Sequence, residues 1–190
     1  MFKTILIDPP YKMCSGGSKH INPKDHYPVQ TKDEIIETIK NWFEQYPIAE
    51  EAHLYLWAIN SYSAGNSRGI FDSLDIIDAI GFHPVTNLLW VKNKGNPTPY
   101  GRRCSEICIF ATKHRKGKHR EIMYKGTDND ECVVGDNLTK SMDWFMHPRQ
   151  HHSKKPNVFY DLIEQRSNAP YLELYARNTR PNWTSIGNEV

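Results

Sequence analysis

Ile5-Leu6-Ile7 runs without interruption into Asp8-Pro9-Pro10-Tyr11. Consecutive prolines donate no ladder hydrogen bonds, so a central strand cannot pass through them. The apolar run must therefore end at Asp8. It presents a carboxylate, two stiff backbone units and an aromatic ring at the strand's carboxyl edge, the edge on which open parallel sheets bind ligands. Taken alone, Asp-Pro-Pro also serves as a plain strand terminator, so the rest of the chain has to decide between the two readings.

Downstream, hydrophobic periodicity alternates between strands and helices. Thr31 and Glu34 form a capping-box pattern ahead of Ile35, Ile36, Ile39, Trp42 and Phe43, which predicts an amphipathic helix. His53–Ala58 reads as a buried strand. Ile70, Phe71, Leu74, Ile77 and Ile80 repeat at helical spacing, with Gly81 as a cap just past the end. Asn87–Val91 and Glu106–Ala111 read as strands. From 113 to about 154 the pattern gives way to charge, glycine and histidine, with a possible short strand near Ile122. Such stretches are usually functional loops. Pro156 is a good first helical residue, and Val158, Phe159, Leu162 and Ile163 follow on an inward face. Strands at Tyr171–Tyr175 and Trp183–Gly187 complete the chain. Alternating strands and helices predict an α/β fold with a mostly parallel sheet covered on both faces. At 190 residues, one domain spanning 1–190 is expected.

Charge and cysteine usage narrow the setting. A net charge of +2 makes nucleic-acid binding a matter of local basic patches rather than bulk attraction. Cys14, Cys104, Cys108 and Cys132 form no disulfide-framework spacing. Cys104 and Cys108 share one strand face but stand too far apart for one tetrahedral ion, so no metal is expected. Met1-Phe2-Lys3-Thr4 leaves no room for a signal peptide, and no apolar run approaches the roughly 20 residues of a membrane span. A cytoplasmic protein without membrane contact is the expectation.

The motif's residue types suit one problem. The lone pair of adenine's 6-amino group is delocalised into the ring, and accepting hydrogen bonds from both N–H groups restores nucleophilicity. Asp8 offers one acceptor and a Pro9-Pro10 carbonyl a preorganised second. Tyr11 offers a stacking face. A base inside a duplex would have to be flipped out to reach them.

The same residues carry a resemblance. Ile5–Tyr11 is similar to the catalytic motif of amino-methyltransferases acting on adenine or cytosine. Nearly the whole chain resembles the family of the mRNA adenosine methyltransferase seventy-kilodalton subunit, the MT-A family, particularly its small bacterial and phage members. The likeness includes His26-Tyr27-Pro28, Leu54–Trp57, Leu88–Lys92, Ser153–Pro156, Glu173–Arg177 and Asn182–Glu189. It implies a Rossmann-like S-adenosylmethionine-dependent methyltransferase fold in permuted order, with the catalytic strand first and the cofactor strand at the C-terminus. By this analogy Asp8, Pro9, Pro10 and Tyr11 are catalytic. Lys155 lies near the methionine carboxylate of S-adenosyl-L-methionine, and Glu173, Tyr175 and Arg177 belong to the cofactor strand and its end. Asn188 and Glu189 reach the ribose hydroxyls, where Glu189 departs from the Gln or Asn-Gln frequent in the family. No G-x-G-x-x-G occurs, so a nicotinamide or flavin has no support.

Lys12, Asn60, Arg149 and His151 are candidate substrate contacts, each also an ordinary turn or surface residue. The run Lys113–Arg120 has five Lys or Arg and no acid, which suits phosphates and a solvated turn equally. Trp57 and Trp90 read as core. The leading expectation is adenine-N6 methylation of DNA. RNA adenosine methylation, cytosine-N4 methylation and a non-catalytic nucleic-acid-binding subunit are the alternatives, with a homodimer or partner subunit allowed.

Overall fold

The computed structural model describes residues 1–12, 29–62, 67–98, 101–114, 143–149 and 155–187. His26-Tyr27-Pro28, the basic run beyond His114, the strand near Ile122, His151, His152 and Asn188-Glu189 lie outside these residues, as do Cys14 and Cys132.

Among the described residues, seven strands form one sheet: β1 (Phe2–Ile7), β2 (Ile48–Ala58), β3 (His83–Thr98), β4 (Gly101–Thr112), β5 (Trp144–Met146), β6 (Tyr171–Leu174) and β7 (Trp183–Ile186). Three helices join them: α1 (Lys32–Gln45), α2 (Ile70–Ala79) and α3 (Asn157–Arg166). The strand order is β5-β3-β4-β2-β1-β6-β7. β1 pairs in parallel with β2 and β6, β6 with β7, and β3 with β5. Of these strands β4 alone is reversed, antiparallel to both β2 and β3. The sheet is thus mostly parallel, as the sequence implied, but with a long antiparallel hairpin inserted that strand periodicity did not reveal.

Local chemistry explains the elements. Thr31 caps α1 through its side chain, and Glu34 Oε2 accepts from the Thr31 N–H at 2.7 Å, closing the capping box. α2 ends just before Gly81, whose φ of 82° is a conformation that costs glycine little. Pro156 stands one position earlier than expected. Its ψ of 138° is extended, so it is the N-cap, and Asn157 is the first helical residue. β6 and β7 run parallel although only eight residues separate them, fewer than the dozen or more usual for such a crossover.

The two sheet faces bury separate cores. On one, Ile5, Ile7, Leu54, Leu56, Ile109 and Leu172 meet Ile35, Ile39, Ile76 and Ile77 of α1 and α2. On the other, Leu6, Tyr55, Trp57, Trp90, Cys108 and Phe110 meet Phe159, Leu162 and Ile163 of α3. β1 lies inside the sheet, between β2 and β6, strands reached by opposite turns of the chain. Its carboxyl end is therefore the switch point at which such sheets form a crevice.

Candidate active site

Asp8 stands where β1 ends, and the crevice beyond it is a cavity of about 470 Å³, within the range typical of small-molecule sites. Asp8, Trp57, Lys155, Glu173, Tyr175 and Arg177 line it, together with the loop joining β6 to β7. Among the described residues, five candidates, Asp8, Lys155, Glu173, Tyr175 and Arg177, thus meet in one place.

Lys155, directly ahead of α3, binds Asp8 with both oxygens, Nζ lying 2.9 Å from Oδ1 and 2.8 Å from Oδ2. Its other neighbour is Glu106 of β4, at 3.5 Å, and Glu106 in turn pairs with Lys92 of β3. Lysine and carboxylate thus alternate along a row, Lys92–Glu106–Lys155–Asp8. Burial opposes the Lys155 charge, but Asp8 and Glu106 outweigh it and hold its pKa above the ordinary lysine value. Burial likewise opposes the Glu106 charge, and Lys155 and Lys92 reverse that and lower its pKa. The two ammonium groups also rest on indole rings, Lys155 4.9 Å from the Trp57 centroid and Lys92 4.7 Å from that of Trp90. Both tryptophans are core residues, 3% and 2% exposed, yet each lends a face to this charged row.

Glu173 of β6 is the site's other acid. Burial pushes its pKa up to about 7, against the Tyr160 hydroxyl, which donates to Oε1 at 2.7 Å. Its Oε2 is buried with no hydrogen-bond partner among the described residues, and the residue faces the cavity. An orphaned carboxylate oxygen of this kind suits a cationic or N–H-bearing ligand group. Tyr160 also carries Arg180 over its ring at 5.2 Å, and Arg180 is tied to Asp161 and Glu164 of α3. The β6–β7 loop is thereby fastened to α3 along the cavity wall.

The chain leaves β6 through Tyr175 at φ 59°, a left-handed conformation held by its hydroxyl on Gln30 and its ring edge against Trp42. Gly187 follows β7 on the neighbouring strand. A Cβ there would fall 2.2 Å from the Ala176 carbonyl oxygen, so only glycine lets the two strand ends lie this close.

The proline carbonyls are engaged by backbone: Pro9 accepts from Tyr11 N–H at 2.9 Å and Pro10 from Gln30 N–H at 2.8 Å. Each retains a second lone pair. The Tyr11 hydroxyl meets the Trp57 carbonyl and Ser73 at 3.1 Å each, leaving the ring half-buried under the strand ends. Lys12 is exposed and opens with Tyr11 onto a second cavity on the α1 side. Asn60 lines neither described cavity. Its amide donates to the Ser105 carbonyl at 3.1 Å and hydroxyl at 3.0 Å, tying the end of β2 to β4. Arg149 is exposed outside β3, its N–H donating to Asn93 Oδ1.

Glu106, Tyr160 and Arg180 were not singled out by sequence reading. For Glu106 a signal existed: it is the sole acid between Asp78 and Glu121 and sits at the mouth of an apolar strand. Tyr160 and Arg180 carried none, because their partners come from other elements.

Among the described residues, no helix is long and apolar enough to cross a membrane, and no group of acids, histidines and cysteines could hold a metal ion. A comparison with curated proteins found no match. A family profile, MT-A70, matches residues 2–189. The chain belongs to the MT-A70 family of S-adenosylmethionine-dependent N6-adenosine methyltransferases, with their α/β Rossmann-like fold.

Proposed function

We propose that this chain methylates the 6-amino group of adenine in DNA. The observation carrying this reading is the meeting, in one cavity, of the Asp8 carboxylate, the Lys155 ammonium and the unsatisfied Glu173 oxygen. The donor set fits S-adenosylmethionine, a zwitterion with a sulfonium. Lys155 and Arg177 suit its carboxylate, while Glu173 and Asp8 suit its positive groups. Tyr175 walls the cofactor end. Asn188, with Glu189, is the proposed ribose contact, and Lys12, Arg149 and His151 the proposed substrate contacts. The bound cofactor supplies the electrophilic methyl group.

Asp8 accepts one N–H of the amine, and a Pro9-Pro10 carbonyl accepts the other through its second lone pair. Both pull the nitrogen lone pair out of conjugation. Lys155 holds the carboxylate oriented until the amine arrives, and Tyr11 offers its ring as a stacking face. No residue forms a covalent bond with substrate. Proximity and desolvation provide much of the remaining rate.

DNA is favoured over RNA on the resemblance of the chain to the small bacterial and phage members of the family. The test is methyl transfer from labelled cofactor to duplex DNA, single-stranded DNA and RNA, resolving product nucleosides. N6-methyladenine from DNA is the expected product. Label in RNA alone moves the substrate to RNA, and label on cytosine moves the chemistry to the N4 amine. A protein that binds cofactor and labels nothing overturns the enzymatic reading.

A further inference from the structure

β3 and β4 continue beyond the site as a two-stranded ribbon. The register resumes after an irregularity between Val91 and Asn96, with Asn96 opposite Arg103, Pro97 opposite Arg102 and Thr98 opposite Gly101. β3 runs in the direction of β1, so the ribbon projects from the edge that holds Asp8. The segment from 92 to 105 contains Lys92, Lys94, Arg102 and Arg103 and no acid. Lys92 is committed inward to Glu106. Lys94, Arg102 and Arg103 are exposed, and none forms an ion pair among the described residues. Arg102 Nη1 reaches the Gly95 carbonyl at 3.3 Å across the ribbon, leaving its other donors outward.

Alternation along β4 puts Arg102 on the face of Glu106 and Cys108, the site face, and Arg103 on the opposite one. The ribbon therefore shows cations on both sides. Its root is fixed by the Glu106–Lys155 and Asn60–Ser105 contacts, so its position relative to Asp8 is set rather than floppy. Arg103 stands three positions before Glu106, roughly 10 Å along the strand.

We propose that this ribbon is a backbone clamp, with Lys94, Arg102 and Arg103 holding phosphates of a nucleic acid that flank the base presented at Asp8. The clamp rests on the proposed function only for the identity of that base; the phosphate contacts stand on charge, exposure and placement. A rigid, acid-free ribbon suits a polyanion of regular charge spacing. Its arginines on opposite faces let it lie along a strand rather than cap a single anion.

The experiment is fluorescence anisotropy of a labelled oligonucleotide with one adenine, single-stranded and duplex, titrated with the full chain across a salt series. The variant is Lys94→Gln/Arg102→Gln/Arg103→Gln, and Lys3→Gln/Lys40→Gln is the control for bulk charge. The triple variant is expected to lower the slope of log K against log salt by about 2 to 3 and to weaken binding more than about tenfold. Cofactor affinity and Tm should stay unchanged. With methyl transfer measured in parallel, the loss should fall on KM, with kcat within about twofold. An unchanged slope, an equal fall in the control, or a wild-type chain that binds no oligonucleotide overturns the clamp. Ribbon-dependent binding without methylated adenine overturns the proposed function and leaves the clamp standing. Methyl transfer with an unchanged slope does the reverse.

Discussion

The face of the sheet under α1 and α2 and the face under α3 use opposite materials. The first is mainly aliphatic, with Ile5, Ile7, Leu54, Leu56, Ile76, Ile77 and Ile109 at its centre and Phe82 and partly buried rings around them. The second is aromatic, and its rings border ammonium groups, carboxylates and a cavity. Branched aliphatic side chains fill space in well-defined rotamers and make a stiff support. Indole and phenol rings fill space too, but also offer a negative face to a cation and a polar tip to an acid. Alternation along β1 assigns its residues to the two tasks: Ile5 and Ile7 point to the support, Leu6 to the aromatic side. One strand thus serves stability and site at once.

Damage to the site face should abolish chemistry while sparing the fold. Asp8→Asn removes a charged acceptor at the reacting amine, and turnover should fall about 10²- to 10³-fold, comparable to loss of one preorganised group elsewhere. Glu106 still pairs with Lys155, so the melting temperature should change by only a few degrees. Calorimetric cofactor titration and a thermal melt together check this, and collapse of both would make Asp8 structural.

Damage to the support should do the opposite. Ile77→Ala empties space at a site with 0% exposure and should cost about 2–5 kcal/mol, with KM for cofactor unchanged in the fraction still folded. A shifted KM at full folding would show that the two faces are coupled.

A third change sharpens the comparison through pH. Glu173 has its pKa raised to about 7 in the fold, above the ordinary value of 4.5. Between those values the folded state keeps a proton that the unfolded state has released. The contribution of this group to stability is therefore greatest below about pH 4.5, falls as pH rises through that window, and stays at its lower level above about 7. Glu173→Gln removes this dependence. The variant should exceed wild type by up to about 3 kcal/mol above pH 7, with the difference vanishing in acid. Urea melts from pH 5 to 8 measure it, and parallel curves would exclude a neutral buried Glu173. The smallest effect belongs to the support's rim: Thr31→Ala should cost about 1 kcal/mol through loss of the α1 cap, with activity intact.

Much of this was legible before the coordinates. The capping box, the isoleucine stripes, the strand ending at Asp8 and the inward face of α3 are local patterns, and local patterns survive folding. The β3–β4 hairpin was not. Its segment contains Gly95, Pro97 and Pro99, which normally demote a strand. β3 passes through Pro97 because β5 pairs only with residues 89–91, leaving the outer half an edge where a missing N–H costs nothing. The Glu106–Lys155 pair was also out of reach, since partners 49 residues apart leave no period in the sequence. The placement of Asp8, Lys155, Glu173 and Arg177 around one cavity followed from motif and resemblance together. Neither could show that Asp8 and Lys155 bind one another.

The position of β1 inside the sheet also bears on how the molecule is made. Its partner β6 pairs Tyr171 with Thr4, and the Thr4 hydroxyl reaches the carbonyl of Asn168. At about 5–20 residues per second, a ribosome needs roughly ten to thirty seconds between those two halves. Throughout that interval one flank of β1 has no neighbour. The nascent chain must keep an apolar, pairing-competent edge from finding another molecule's strand. Slow translation of the last third should therefore favour aggregation, and a chaperone that shields strand edges should raise the yield more than one that acts after release.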